Sequence, residues 1–303
     1  MISIVVSSYK KENYAQFAKN VDETIGVPYE IIRIDNPGVM GICKAYNLGS
    51  NKANFKFICF SHEDILFKTE NWGKEVIRLF DENSQLGLLG VAGSDYKTVA
   101  PGPFFCSDMD RVFMNITQCY KKQNQSPKLF KVNPTGADYA EVVCVDGVWF
   151  CTTKEVLSKV KFDETTFSSF HCYDVDFSLS VFKSFKVAVT YKILIEHFSE
   201  GSFDKTWTEE TLKLFSKWKD VLPLSVRPYP NPKPIKLEVK TLIDFFISMY
   251  ENSFSPFKMV KVYRLVSPSI PFSLKDKVYL YYILCKQFVK YCIGYRHSNM
   301  QAN

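Results

Sequence analysis

The residue pattern predicts an α/β protein: a mostly parallel central sheet with flanking helices, plus a helical C-terminal extension. Three observations predict it. Strand-like and helix-like periods alternate through the first 65 residues, as in a parallel sheet joined by crossover helices. The apolar runs are short and bounded by polar turn residues, as in strands buried on both faces. Beyond five prolines between Pro223 and Pro234 the pattern turns helical and basic.

Residues 2–7 (ISIVVS) read as the first strand. Tyr14, Phe17, Ala18, Val21 and Ile25 recur at helical spacing and give one apolar face, which Gly26 and Pro28 end. Residues 29–34 (YEIIRI) form a second strand, closed by the turn chemistry of Asp35-Asn36-Pro37-Gly38. Ile42, Ala45, Tyr46 and Ala53 mark a helix over 41–53, and residues 55–60 a third strand that stops at His62-Glu63-Asp64. Trp72, Val76, Leu79 and Phe80 predict a helix, and residues 86–91 a strand. Between Ala92 and Ala140 the pattern loosens, with Pro101-Gly102-Pro103, Asn133-Pro134 and a polar run at 121–126, and a long lid or binding loop is expected. Residues 142–153 predict two short strands around an Asp146-Gly147 turn, and 154–160 a short helix. Val175, Leu179 and Phe182 place a helix start near Asp174, with Asp174 and Asp176 in the first turn, where the dipole favours carboxylates. Asp176 is read as a helix cap. Residues 186–195 predict a strand ending at Glu196-His197, and Thr206 with Glu209 a capping box for the helix that follows.

Composition is that of an ordinary globule, with 46% hydrophobic, 23% charged and 16% aromatic residues. Nine cysteines without a CxxC pair argue against a disulfide framework or zinc knuckle and for reduced thiols in the cytoplasm. The N-terminal run enters a strand at once, so no signal peptide is expected. No stretch approaches the ~18 apolar residues of a membrane span. Charge divides the chain: residues 225–303 carry 12 Lys+Arg against 4 Asp+Glu, the rest 26 against 28. The expected organisation is an α/β domain over 1–222, a stiff proline-rich linker over 223–235 and a basic aromatic helical extension over 236–303. The extension is open to three readings: packing on the body, a dimer contact, or peripheral contact with an anionic membrane face. With a near-neutral body and no recognised module, no nucleic-acid partner is expected.

Three strand ends offer polar groups in succession: Ser7-Ser8-Tyr9, Asp35-Asn36 and His62-Glu63-Asp64. Ligands of open α/β sheets gather at that edge. Alternation puts His62 and Asp64 on one side and Glu63 on the other. An imidazole and a carboxylate so spaced can hold a hard divalent cation against phosphate, or form a self-satisfied polar turn.

The order of these features resembles the family-2 glycosyltransferases of the GT-A fold, with its Rossmann-like sheet, in the branch of the StrF-like domain of streptomycin biosynthesis. The resemblance covers about residues 1–220. It rests on Ser7-Ser8-Tyr9, Asp35-Asn36, the Gly41, Ala45 and Asn47 helix, His62-Glu63-Asp64, Asp146-Gly147, Tyr173-Asp174-Val175-Asp176, and His197 before Gly201-Ser202. Three positions depart from the family pattern: His62 for the first Asp of Asp-x-Asp, Tyr46 for an Arg, and Tyr173 for a Glu. The resemblance implies inverting transfer of a sugar from a nucleotide-diphosphate sugar to a glycan or lipid-linked acceptor in polysaccharide biosynthesis. It implies a divalent cation, Mn²⁺ or Mg²⁺, with Asp64 and His197 as ligands and His62 as a further one. Asp174 is the implied general base. Ser7, Tyr9, Asp35, Asn47, His62 and Asp146 are the implied donor-binding residues. A catalytically decayed sugar-nucleotide-binding or scaffold protein is the alternative. A nucleotidyltransferase is disfavoured, because residues 3–11 lack the glycines of its phosphate loop.

Overall fold

A computed structural model describes residues 1–120, 125–133, 136–229 and 233–300, with side chains described to residue 292 except at 233. Residues 121–124 and Pro134 of the expected loops, 230–232 of the expected linker and 301–303 of the extension lie outside the described residues.

A seven-stranded sheet runs in the order Tyr139–Val142, Lys186–Thr190, Leu86–Gly90, Trp149–Thr153, Phe57–Ser61, Ile2–Ser8, Tyr29–Asp35. Ile2–Ser8 pairs in parallel with Tyr29–Asp35 and with Phe57–Ser61, whereas Trp149–Thr153 runs antiparallel to both its neighbours. Strand alternation sorts the core into two layers. Val5, Ile58, Phe60 and Phe150 face a cluster shared with Tyr46 and Phe177 of the helices Ile42–Lys52 and Tyr173–Phe182. Ile4, Val6, Cys59 and Cys151 face the opposite cluster, with Phe17, Val21 and Trp72 of Lys11–Thr24 and Trp72–Glu82.

The segment expected to be one long loop instead carries several strands. Ala92–Ser94, Val112–Gln118, Lys128–Val132 and Tyr96–Lys97 are strands. The first three join Cys144–Val145, Ile195–His197 and Ile65–Phe67 in a second sheet. The strands of two or three residues are too short for a period to register, whereas Val112–Gln118 and Lys128–Val132, seven and five residues long, pair with each other across the polar run expected to be loop. The same partition splits the strand expected over 186–195, since Lys186–Thr190 lies in one sheet and Ile195–His197 in the other. His62-Glu63-Asp64 sits where the chain passes from the first sheet to the second, and Asp146-Gly147 where it passes back.

The C-terminal helices Lys233–Glu251, Pro256–Val266 and Leu274–Met300 are joined to the body by a common core. Leu242, Phe245, Phe246 and Met249 belong to the cluster that holds Val5 and Phe60. The buried Glu238 carboxylate accepts from the Val99 and Ala100 N–H groups at 3.0 and 2.7 Å and from the Tyr96 hydroxyl at 3.2 Å. Described residues of the proline-rich segment are likewise pinned down. Leu224–Ser225 pairs with Tyr96–Lys97, and Arg227 is ion-paired with the buried Asp95. The expected Thr206–Glu209 capping box is replaced by Asp204, which accepts from the Trp207 N–H at 2.8 Å and caps Lys205–Trp218. Asp176 is no helix cap either: fully buried, it accepts from Trp218 Nε1 at 2.7 Å and pairs with Lys217 at 2.8 Å, tying two helices together.

Candidate functional site

A cavity of about 800 Å³ opens where the carboxyl ends of the parallel strands meet the second sheet. Ser7, Tyr9, His62, Asp64, Asp146, Asp174 and His197 all line it. Its wall at Ser7–Lys10 is built by Glu63, whose buried carboxylate accepts from Ser8 Oγ at 2.8 Å and from the Tyr9 and Lys10 N–H groups at 3.0 and 2.7 Å. Alternation thus turns Glu63 away from its neighbours to fix the adjacent strand end. Tyr9 leaves that turn two-thirds exposed at the cavity edge.

His62, Asp64 and His197 form one cluster, with a ligand atom from each lying within 4.8 Å of the others. His62 Nδ1 is 3.9 Å and His197 Nε2 3.8 Å from Asp64 Oδ1. Sheet pairing brings His197 there: it is in register with Ile65 on one side and Gln118 on the other. Burial lowers the pKa of His62 against the pull of Asp64, which favours the neutral imidazole. Burial alone would raise Asp64, but the neighbouring His62 and His197 outweigh it and hold the carboxyl below its usual range. Two imidazoles and an ionised carboxylate are a donor set suited to a divalent first-row cation, and they fit such an ion.

The opposite side of the floor is the Asp146-Gly147 turn against the start of Tyr173–Phe182. Cys172 precedes that helix at φ +63°, a strained position for a residue with a side chain. Asp174 Oδ2 accepts from the Gly147 N–H at 2.9 Å, and Asp146 Oδ1 from the Val148 N–H at 2.9 Å. A Cβ on Gly147 would stand 2.1 Å from the Tyr173 hydroxyl, so glycine alone allows this close packing. Burial, reinforced by the neighbouring Asp146, pushes the Asp174 pKa up to about 7. Asp146 is also raised, by burial. The arrangement can therefore exchange a proton near neutral pH on one side and hold a cation on the other.

Residues 2–218 match the family described as glycosyltransferase like. The chain belongs to that family. No curated protein matches it. Among solved structures, this glycosyltransferase is similar to S. aureus TarS residues 1–349 crystallised with UDP-GlcNAc, at 10% identity and a TM-score of 0.55, covering 98% of this chain and 92% of that one. The same TarS fragment with UDP gives 11% identity and a TM-score of 0.56, covering 100% and 92%. GalNAc-T7 crystallised with UDP, GalNAc and Mn²⁺ gives 8% identity and a TM-score of 0.51, covering 73% of this chain. The chain spans about half of GalNAc-T7, 48% of its length. At these identities the likeness is one of fold, and the fold is GT-A.

Two residues of the sequence-derived site do not join the others in this glycosyltransferase. Asp35 is not among the cavity's lining residues; its carboxylate is exposed and paired with Arg33 at 2.9 Å. The adjacent Asn36 is the one turned inward, bonding Ser7 Oγ at 3.2 Å and the Val39 and Met40 N–H groups at 3.1 Å each. Asn47 is spent on the backbone of Phe162, donating to its carbonyl at 2.9 Å and accepting from its N–H at 3.2 Å. A two-residue period explains the opposite directions of Asp35 and Asn36, and neither of them lines the cavity. His62, assigned to the donor and as a further cation ligand, stands in the cation cluster and lines the cavity. Sequence reasoning missed Glu63 as organiser of the donor edge, although alternation had turned it that way. It also missed Gln118, which lies in the segment read as loop and carries no local motif.

Proposed function

We propose that the protein transfers a sugar, with inversion, from a nucleotide-diphosphate sugar to a hydroxyl of a glycan or lipid-linked acceptor in polysaccharide biosynthesis, as expected of the StrF-like branch. One observation carries this reading: a single cavity holds the His62, Asp64 and His197 cluster on one side and Asp174, with a pKa near 7, on the other. Among the described lining residues Lys10 is the only lysine or arginine, so side chains supply little fixed positive charge for a diphosphate. His62, Asp64 and His197 would hold a divalent cation, Mn²⁺ or Mg²⁺, whose charge offsets that building on the leaving diphosphate. Asp174 takes the proton of the acceptor hydroxyl as that oxygen bonds to the anomeric carbon. The anomeric carbon–phosphate oxygen bond breaks, and its electron pair leaves with the nucleoside diphosphate. Ser7 and Tyr9 frame the nucleotide, the exposed Tyr9 ring offering a stacking face, and Asp146 lies toward the donor sugar. That TarS and GalNAc-T7 were crystallised with UDP supports the choice of donor class. The test is a panel of UDP-, GDP- and dTDP-sugars with Mn²⁺. Release of nucleoside diphosphate from one of them is expected. Tight binding without release from any would favour the decayed binding protein.

The acceptor side of the proposal includes an anionic membrane surface, in a reducing, cytoplasmic compartment that nine unpaired cysteines support. Helix Leu274–Met300 has two apolar faces. Leu280 and Leu284 are buried against the neighbouring helices. Leu274, Val278, Tyr281, Tyr282 and Val289 recur at helical spacing and are each more than half exposed. Lys275, Lys277, Lys286 and Lys290 flank the exposed face, and Asp276 is the only acid from 274 to 292. The charge suits anionic headgroups and opposes a second copy, which would set lysines against lysines. No described helix is long and apolar enough to cross a membrane. Because the extension shares the core, the test is by substitution and not truncation. The full chain should float with vesicles containing phosphatidylserine but not with neutral ones. A variant with Tyr281, Tyr282 and Val289 changed to Ser should stay in solution. Equal behaviour of the two proteins would remove the membrane surface from the proposal.

A further inference from the structure

The hydrogen bonds around the cluster point to Tyr173 and Gln118 as positioning residues that impose opposite tautomers on His62 and His197, so that the unprotonated nitrogen of each ring faces Asp64. Tyr173 has one hydroxyl hydrogen, and it is donated to the Gly147 carbonyl at 3.0 Å, since that oxygen can only accept. The contact of 2.9 Å between Tyr173 Oη and His62 Nε2 must then be donated by the ring. Neutral His62 therefore carries its proton on Nε2, and Nδ1, the atom 3.9 Å from Asp64, has the lone pair.

Gln118 sets the other ring. Its Nε2 lies 2.9 Å from the Cys119 carbonyl, 3.3 Å from that of His197 and 2.9 Å from that of Ser199. Three acceptors fix the amide nitrogen on that side and turn Oε1 to His197 Nδ1 at 3.3 Å. An acceptor at that distance holds the proton on Nδ1 and leaves Nε2 as the accepting atom. That atom faces Asp64 at 3.8 Å and the Ser199 hydroxyl at 3.0 Å. The two rings thus reach the same carboxylate through different nitrogens, each set by a partner on the far side of its ring. Partners of this kind orient metal-binding histidines and strengthen them as ligands. Tyr173 occupies the position where the family resemblance places a Glu, and here a neutral hydroxyl is required, because a carboxylate could not donate to Gly147 O. This inference rests on the cation reading above, but its first readout does not.

The test uses the cation-free full chain labelled with ¹⁵N-histidine. Long-range ¹H–¹⁵N correlations near pH 7.5 distinguish the two tautomers, and His62→Gln and His197→Gln assign the signals among the four histidines. In the wild type, protonated Nε2 at His62 and protonated Nδ1 at His197 are expected. Tyr173→Phe, which keeps the ring packed against Tyr46, should convert His62 to a tautomer mixture, leave His197 unchanged, and weaken Mn²⁺ binding about 10–100-fold. The opposite tautomer at either ring of the wild type, or an unchanged His62 in Tyr173→Phe, overturns the assignment. Correct tautomers in a wild type that takes up no Mn²⁺ would support the assignment and sink the cation reading.

Discussion

Replacing Asp174 by Asn lowers the transfer rate about 10²–10⁴-fold while donor binding persists, because the variant keeps an oxygen for the Gly147 N–H and loses the proton acceptor. In the wild type the rate at low substrate should rise about tenfold per pH unit up to about 7 and level off above it, following ionisation of Asp174. The same group makes a stability prediction of opposite sense. Folding raises its pKa from 3.8 to about 7, so the folded state disfavours the ionised form. Its contribution to stability is intact below about pH 4 and is lost as pH rises through 7. That rise corresponds to about 4 kcal/mol at full ionisation, and the half-buried position lets solvent recover part of it. Asp174→Asn should therefore be more stable than the wild type at pH 8 by about 1–3 kcal/mol, and equal to it below pH 4, as read by urea unfolding at both pH values. A slow variant with unchanged stability at pH 8 would mean that the carboxylate carries no burial cost. A variant with near wild-type transfer would end the assignment of the base.

Asp64→Asn should cost about 10²–10³-fold in transfer, the scale of removing one group that stabilises developing charge. The cluster would retain two imidazoles and no carboxylate, and the cavity offers Lys10 as the one lysine or arginine among its described lining residues to offset a diphosphate. Mn²⁺ titration followed by electron paramagnetic resonance should show the affinity falling with the activity. Nucleotide binding with the Mn²⁺ dependence of the wild type would remove Asp64 from the cation site. Comparison with Asp174→Asn separates the two functions: one variant should keep the ion and lose the base, the other the reverse.

Local pattern was sufficient for the elements whose partners are near in sequence. The alternation of the first 65 residues, the helix beginning at Tyr173 and the polar ends of Ile2–Ser8 and Phe57–Ser61 follow from spacing, because burial of one face repeats with the period of the element itself. The second sheet could not be read this way. Four of its six strands are two or three residues long, and these take hydrogen bonds from distant segments, as Ile195–His197 does from Ile65–Phe67 and Val112–Gln118. The extension looked separable because prolines and charge set it apart, yet Glu238 and Phe245 carry contacts no composition records.

By itself the sequence determined the α/β alternation, the family and the residue types at the site: a His-x-Asp strand end, an Asp-Gly turn, an Asp at a helix start and a late His. Tertiary structure alone decided which of them meet. Asp35 and Asp64 both end parallel strands, but the first points to solvent beside Arg33 and the second joins two imidazoles from separate segments. The reason is physical: a chain position fixes a side chain's chemistry, whereas its direction and protonation depend on strand register and on partners brought from elsewhere, Gly147 for Asp174 and Gln118 for His197.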